Sequence, residues 1–318
     1  MFGANDLVAK ITYLMPRNSH RVTWALGTVL LVLAISLVQE PLIAAEITAH
    51  KGIRYEINKV LMETTFRIEG SGTIGTGFIV SRLKDDPSLG RFVLVTAAHI
   101  LEGIKDDSAI LHLRKAQAVD EWQSVKVPIR IRNAGKALWT KHPEVDVAVM
   151  YVTLPEGTIP GGILGISLLA DDETLQRFQI HPGDNLSCLG FPLGVASGRE
   201  GFPILRSGKI ASFPLLPTKR TKTFLFDFEI FPGNSGGPVY FADINRYFDR
   251  KFHLGHVVQF LVGLVSSEIV VPEPIRERYL RGERSQPLKL AQVVHASLIR
   301  EAIELLPEEA SDRPATAP

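Results

Sequence analysis

The chain has 318 residues, with 35 Lys and Arg against 34 Asp and Glu, so no global field draws it onto nucleic acid and nucleic-acid partners are excluded on charge. Hydrophobic residues make up 45% and charged ones 22%, the proportions of a protein that buries a core, which excludes wholesale disorder. A single cysteine, Cys188, excludes any intramolecular disulfide; it sits in the apolar run Asn185–Phe191 and reads as a buried structural thiol without chemistry.

At the start, Lys10, Arg17 and Arg21 precede an uncharged stretch from Val22 to Val38, and the small pair Ala44-Ala45 follows Pro41. That order is a signal peptide's. The apolar run is long for such a leader and short for a membrane-spanning helix, so residues 1–45 are expected to be a signal peptide cut after Ala45 or a retained anchor. In either case the positive flank stays in the cytoplasm and the rest is exported, to the periplasm or to the periplasmic face of the inner membrane. Any membrane contact is expected only through residues 22–38, if uncleaved.

From Thr64 onward, β-branched and aromatic runs recur between Gly, Pro and Asp clusters: Thr76–Ser81, Arg91–Thr96, Ala109–Arg114, Val125–Ile131 and Val145–Val152. Such spacing predicts an all-β protein. A Pro- and Gly-rich break at Leu154–Gly162 separates this set, about 64–153, from a second, about 163–287, containing Asn185–Phe191, Ile204–Ser212, Lys222–Ile230, Pro238–Phe241 and Gln259–Ser267. Two groups of similar size fit two barrels better than one sandwich. Tyr240–Gln259 is polar, aromatic and charged, and reads as a surface insertion. Leu290, Val293, Val294, Leu298, Ile299, Ala302 and Leu305 fall at helical spacing, predicting a closing helix over 288–306 before a disordered tail at 307–318.

The chemistry-bearing residues stand at the edges of these runs. In Gly233-Asn234-Ser235-Gly236-Gly237-Pro238, the glycines permit a tight turn that aims the amides of Gly233 and Ser235 at one point and projects the Ser235 hydroxyl outward, an oxyanion nest beside a nucleophile. A plain Gly/Ser/Pro turn is the bland alternative. His99 ends the strand Phe92–Ala98, whose small terminal residues leave room for an imidazole. Asp146 heads the apolar strand Val147–Val152; a carboxylate there is partly buried and needs partners. Hydroxyl-mediated hydrolysis needs such a base, an orienting carboxylate and oxyanion donors. The order His, Asp, Ser is the chymotrypsin order, not that of subtilisins or α/β-hydrolases. His253 and His256 have half a metal-site spacing but lack partners, so no metal and no cofactor is expected.

These segments resemble the trypsin/chymotrypsin-like serine protease superfamily, nearest its bacterial HtrA-type branch. The resemblance is carried by Gly75–Val80, Val95–Leu101, Asp146–Val149, Gly183-Asp184 through Pro192, and Asp227–Pro238. It implies two perpendicular six-stranded barrels with His99 as base, Asp146 as its orienter and Ser235 as nucleophile in the cleft, cleaving polypeptides of the cell envelope. It also implies that Ser266 supports the triad carboxylate, and that Glu229 and Glu268 border the pocket for the residue before the scissile bond, where they would favour Lys or Arg unless they pair with a neighbouring cation. Asn234 stands where zymogen-activated trypsins carry an Asp, so that switch is expected to be absent. No PDZ domain is recognisable after the closing helix, and no oligomeric state is implied. Two rival readings remain: a catalytically silent, protease-like binding module, and a membrane-anchored interaction protein.

Overall fold

The computed structural model describes residues 56–82, 92–118, 121–158, 161–276 and 281–307, with backbone only for 273–276 and 281–285. The expected leader and residues 308–318 of the expected tail lie outside the described residues. A helix, α1 (Ile57–Thr64), opens the described fold and buries Ile57, Val60, Leu61 and Thr64, the i, i+3, i+4, i+7 stripe of an amphipathic helix.

The first strand group is β1 (Thr65–Gly70), β2 (Thr73–Ser81), β3 (Phe92–Thr96), β4 (Ser108–Ala118), β5 (Glu121–Arg130) and β9 (Ala148–Val152), with short helix α2 (Ala98–Gly103) after β3. They form one sheet in the order β5-β4-β1-β2-β3-β9, extended by two-residue strands: β8 (Thr140–Lys141) beyond β9 and β10 (Leu164–Gly165) against β2. The two-residue pair β6 (Arg132–Asn133) and β7 (Lys136–Ala137) stands apart. Five of its long strands lie on the expected runs, and β1 is an addition. The core beneath this sheet also takes in Leu189, Tyr240, Leu261, Leu264, Val294 and Leu306 from later in the chain.

After helix α3 (Asp172–Arg177), capped by the Asp171 carboxylate on the Thr174 amide, the second group closes. Strands β11 (Asn185–Gly190), β12 (Ile204–Ile210), β13 (Thr223–Asp227), β16 (Arg281–His295), β15 (Lys251–Arg276) and β14 (Pro238–Phe248) form a closed barrel in that order. Tyr240–Gln259 is therefore the end of a long hairpin, β14 running into β15, and not a loop.

The closing helix, α4 (Ala296–Glu304), is shorter than its periodicity predicts, since 288–295 belongs to β16. Val293 packs into the barrel core while Val294 packs into the first core. A strand buried on both faces carries an unbroken apolar run, and such a run satisfies a helical template by accident. The same alternation operates on β14, where Val239 and Phe241 enter the barrel and Tyr240 the other core.

Two buried polar groups mark where this packing is tight. The Arg114 guanidinium, 2% exposed, sits between the rings of Phe66 and Phe202 and donates to the carbonyls of Met62, Glu63, Thr65 and Gly201. Burial pushes its pKa down to about 9, so it stays charged at neutrality and ties α1 to the loop after β11. His295, 1% exposed, has no hydrogen-bond partner on either ring nitrogen among the described residues. Burial lowers its pKa from 6.5 to about 4. The unfolded chain therefore takes up this proton at higher pH than the folded chain does, and stability falls as pH drops through that window. Urea unfolding is expected to show His295→Leu losing less stability than the parent between pH 7 and pH 4.5, by up to roughly 3 kcal/mol; equal losses would show that His295 does not titrate this way.

Candidate active site

Three elements converge where the two cores meet. Ala97 and Ala98 are fully buried, and the turn they make from β3 into α2 leaves His99 half-exposed at the helix start. Asp146 stands just before β9, and its carboxylate is anchored three times: by the His99 amide at 2.9 Å, the His99 Nδ1 at 2.7 Å and the Ser266 hydroxyl of β15 at 2.8 Å. Burial pushes the Asp146 carboxyl up, but the His99 ring and amide hydrogen bonds, the His99 charge and the Ser266 hydroxyl outweigh it and hold the group below the usual carboxylate range. An ionised carboxylate only accepts, so it fixes the neutral imidazole with its proton on Nδ1 and leaves Nε2 free to take one. Ser266 is 6% exposed.

Ser235 lies in the turn between β13 and β14, its hydroxyl donating to the Ser266 carbonyl at 3.1 Å. Ser266 thus touches both Asp146 and Ser235, with its side chain and its carbonyl respectively. The turn needs its glycines. Gly233 has φ +99° and Gly236 φ +85°, in the region that disfavours any side chain, and a Cβ on them would lie 2.2 Å from the Phe191 carbonyl oxygen and 2.0 Å from that of Thr76. The amides of Gly233 and Ser235 bond to no other described residue. Asn234 is buried, and its Oδ1 has no partner among the described residues.

Thr76 is the functional residue that sequence reasoning passes over. Fully buried on β2, its hydroxyl donates to the Gly233 carbonyl at 2.6 Å and accepts from the Phe191 amide at 3.2 Å, while its amide donates to the Ser235 carbonyl at 2.9 Å. Thr96 in turn donates to the Thr76 carbonyl at 2.7 Å. A polar residue between two glycines in an otherwise apolar strand, Gly75-Thr76-Gly77, is the signal that points to it.

Other described histidines are engaged elsewhere: His112 with Glu69 at 2.8 Å, His142 with Glu301 at 3.5 Å, and His253 stacked on Phe248. Burial pushes the Cys188 thiol up to about 12. No group of three or more metal-ligating side chains is gathered among the described residues. Glu229 is half-exposed and pairs with Lys289 at 3.2 Å, so its charge is compensated by the chain's own lysine. Glu268 lies on β15 two residues beyond Ser266.

Replacing Thr76 by Val keeps the strand and its volume but strands the buried Gly233 carbonyl and Phe191 amide, at a cost of about 1–3 kcal/mol. Thermal unfolding is expected to fall accordingly and kcat for a small ester to drop at least tenfold, since a turn displaced by a fraction of an ångström loses its aim; unchanged kcat with lowered stability would limit Thr76 to packing.

The chain matches the family model for the trypsin-like peptidase domain over residues 75–245, which spans β2 through the Ser235 turn into β14. Among solved structures it is similar to Rv3671c of M. tuberculosis H37Rv in an inactive form (15% identity, 80% of this chain and 95% of that chain, TM-score 0.38). It is also similar to the protease Anisep of Arthrobacter nicotinovorans (14%, 76% and 93%, 0.41) and to the serine protease of a human pathogenic astrovirus (13%, 74% and 90%, 0.35). No curated protein matches. With the family model covering more than half of its length, the chain belongs to the trypsin-like peptidase domain family, and it is a serine-type peptidase.

Proposed function

We propose that this peptidase is an exported endopeptidase that opens peptide bonds through a Ser235–His99–Asp146 triad and an acyl-enzyme. The observation that carries the reading is the Asp146 carboxylate held by His99 and Ser266 while the Ser266 carbonyl holds the nucleophile. Rotation about the Ser235 Cα–Cβ bond releases the hydroxyl from Ser266 toward the imidazole. His99 takes its proton as Oγ attacks the scissile carbonyl, Asp146 stabilises the imidazolium, and the Gly233 and Ser235 amides receive the oxyanion. His99 then gives the proton to the leaving amine, and water repeats the sequence to free the acid. The β14-side edge of β15 is unpaired beyond Val265, whose amide is the last to bond back to the turn, at Gly237. An extended substrate strand adds there by backbone pairing.

Expected substrates are polypeptides of the cell envelope, a reading supported by the Lys10, Arg17 and Arg21 flank of the 22–38 apolar run. A reporter fused after residue 60 is expected to be active only outside the cytoplasm, and cytoplasmic activity alone would remove the export reading. Since Lys289 already occupies Glu229, Glu268 is the carboxylate left to attract a cationic residue before the scissile bond. In a peptide library, Glu268→Gln is expected to lose any Lys or Arg preference and Glu229→Gln to keep it.

For the triad, a fluorophosphonate probe is expected to label the parent and not Ser235→Ala, and both Ser235→Ala and His99→Ala are expected to lose roughly 10⁴-fold or more in kcat. A folded parent that takes no label would make the chain a silent binding module, and His99→Ala within tenfold of the parent on casein would remove the base assignment.

A further inference from the structure

The arm formed by the far ends of β14 and β15 has a side the protease fold does not use. Cross-strand partners share a face of a hairpin. Tyr247 stands opposite Phe252 and Asn245 opposite Leu254, so this face holds two aromatic rings and a leucine, exposed by 50%, 60% and 77% respectively. Ile244 and Val257, flanking the register shift, are exposed as well. The opposite face is the one that packs: Phe248 stacks on His253 and meets Phe178, and Arg246 is held by Asp184 at 2.8 Å. The arm is thus fastened on one side and presents apolar groups on the other. At its turn, Asp249 is paired with Arg177, whereas Arg250 has no acidic partner among the described residues; Lys251, opposite Phe248, stands on the packed face.

The place where the polypeptide reaches this domain bears on what covers that face. Just after Glu56, the Ile57 amide donates to the side chain of Gln259 at 3.1 Å, and Asn58 accepts from Tyr240 at 2.6 Å. Both partners lie at the base of the arm. The apolar stretch Val22–Val38 is joined to this point by a segment that reaches roughly 60 Å at most.

We propose that the exposed face of the β14–β15 arm docks on the surface of a lipid bilayer, with Tyr247, Phe252 and Leu254 at the headgroup boundary and Arg250, at the turn, on anionic headgroups. Aromatic rings with an aliphatic neighbour and an unpaired cation are the chemistry of that boundary, and an apolar patch of this kind is unusual on a monomer in water. The inference rests on the reading of residues 22–38 as membrane-directed.

The test uses the full chain carrying Phe252→Cys or Leu254→Cys, each labelled with an environment-sensitive NBD fluorophore, and Phe213→Cys as a remote exposed control; buried Cys188 stays unlabelled. In vesicles containing phosphatidylglycerol, the dyes at 252 and 254 are expected to shift to the blue and to be quenched by doxyl lipids roughly threefold or more beyond the dye at 213. The shift is expected to weaken in phosphatidylcholine alone, and Arg250→Gln to reduce the difference between the two lipids. If the chain floats with vesicles while all three dyes report water, the arm proposal fails and the anchor stands. If the chain does not float, both fail. A blue shift that grows with protein concentration, with disulfides between Leu254→Cys copies, would show a second copy on this face and overturn the proposal.

Discussion

One residue, Thr76, ties the first sheet directly to the Ser235 turn of the second unit. Thr76 lies on a strand of the first sheet, yet its hydroxyl and amide spend three hydrogen bonds on the second unit: at Gly233, at Phe191 and at Ser235. His99 and Asp146 belong to the first unit and the Ser235 turn to the second. A shift between them of a fraction of an ångström would open the cleft at the point where atoms must meet within hydrogen-bond reach. No disulfide shares this task. The clasp is built from buried hydrogen bonds, which are modest in net energy but costly to leave half-made, and it therefore fixes position more than it adds stability.

The glycines at 233 and 236 follow from the clasp. Because Thr76 draws the turn against β2, the space a side chain would need at 236 is filled by the Thr76 carbonyl oxygen, and at 233 by that of Phe191. The turn is thus forced into a conformation that presents its amides outward, and the open N–H groups of Gly233 and Ser235 are a consequence of packing as much as of local sequence. Ser266 completes the frame from the third side. Its position on β15 lets one residue hold the carboxylate through its hydroxyl and the nucleophile through its carbonyl, so the separation between them is set by a single backbone unit.

Much of this was legible in the residues. His99 and Ser266 both bond the Asp146 carboxylate and Ser235 bonds the Ser266 carbonyl, and each of these residues could be singled out beforehand because it sits beside small residues or carries a charge next to an apolar run. What escaped reading has a common cause. Thr76 works through contacts more than a hundred residues away in sequence, at Phe191 and Gly233, and no local pattern encodes its partner. The strand over 288–295 was hidden because the wall of β14, β15 and β16 is buried on both faces: Val293 and Val294 point into different cores, which erases the alternation that identifies a strand. Helix α1 was hidden by brevity. The pairing of Glu229, just after β13, with Lys289 inside β16 is made by the closed barrel, so it could not be read from either segment.

That doubly buried wall also explains how the arm is carried. β14 begins at Pro238, immediately after the nucleophile turn, and ends at Phe248 in the arm, a span of roughly 30 Å of continuous strand. Its first half is locked between two cores, with Val239 and Phe241 on one side and Tyr240 on the other. In its second half, after the register shift between Asp243 and Asn245, only one face is packed, with Phe248 still in the barrel core. A strand fixed at one end in this way has little freedom to swing at the other, and Phe248 and Arg246 remove more of it by binding back to Phe178 and Asp184. The apolar face of the arm is therefore held at a set orientation relative to Ser235, and a surface that bound the arm would fix how the cleft is presented to incoming chains.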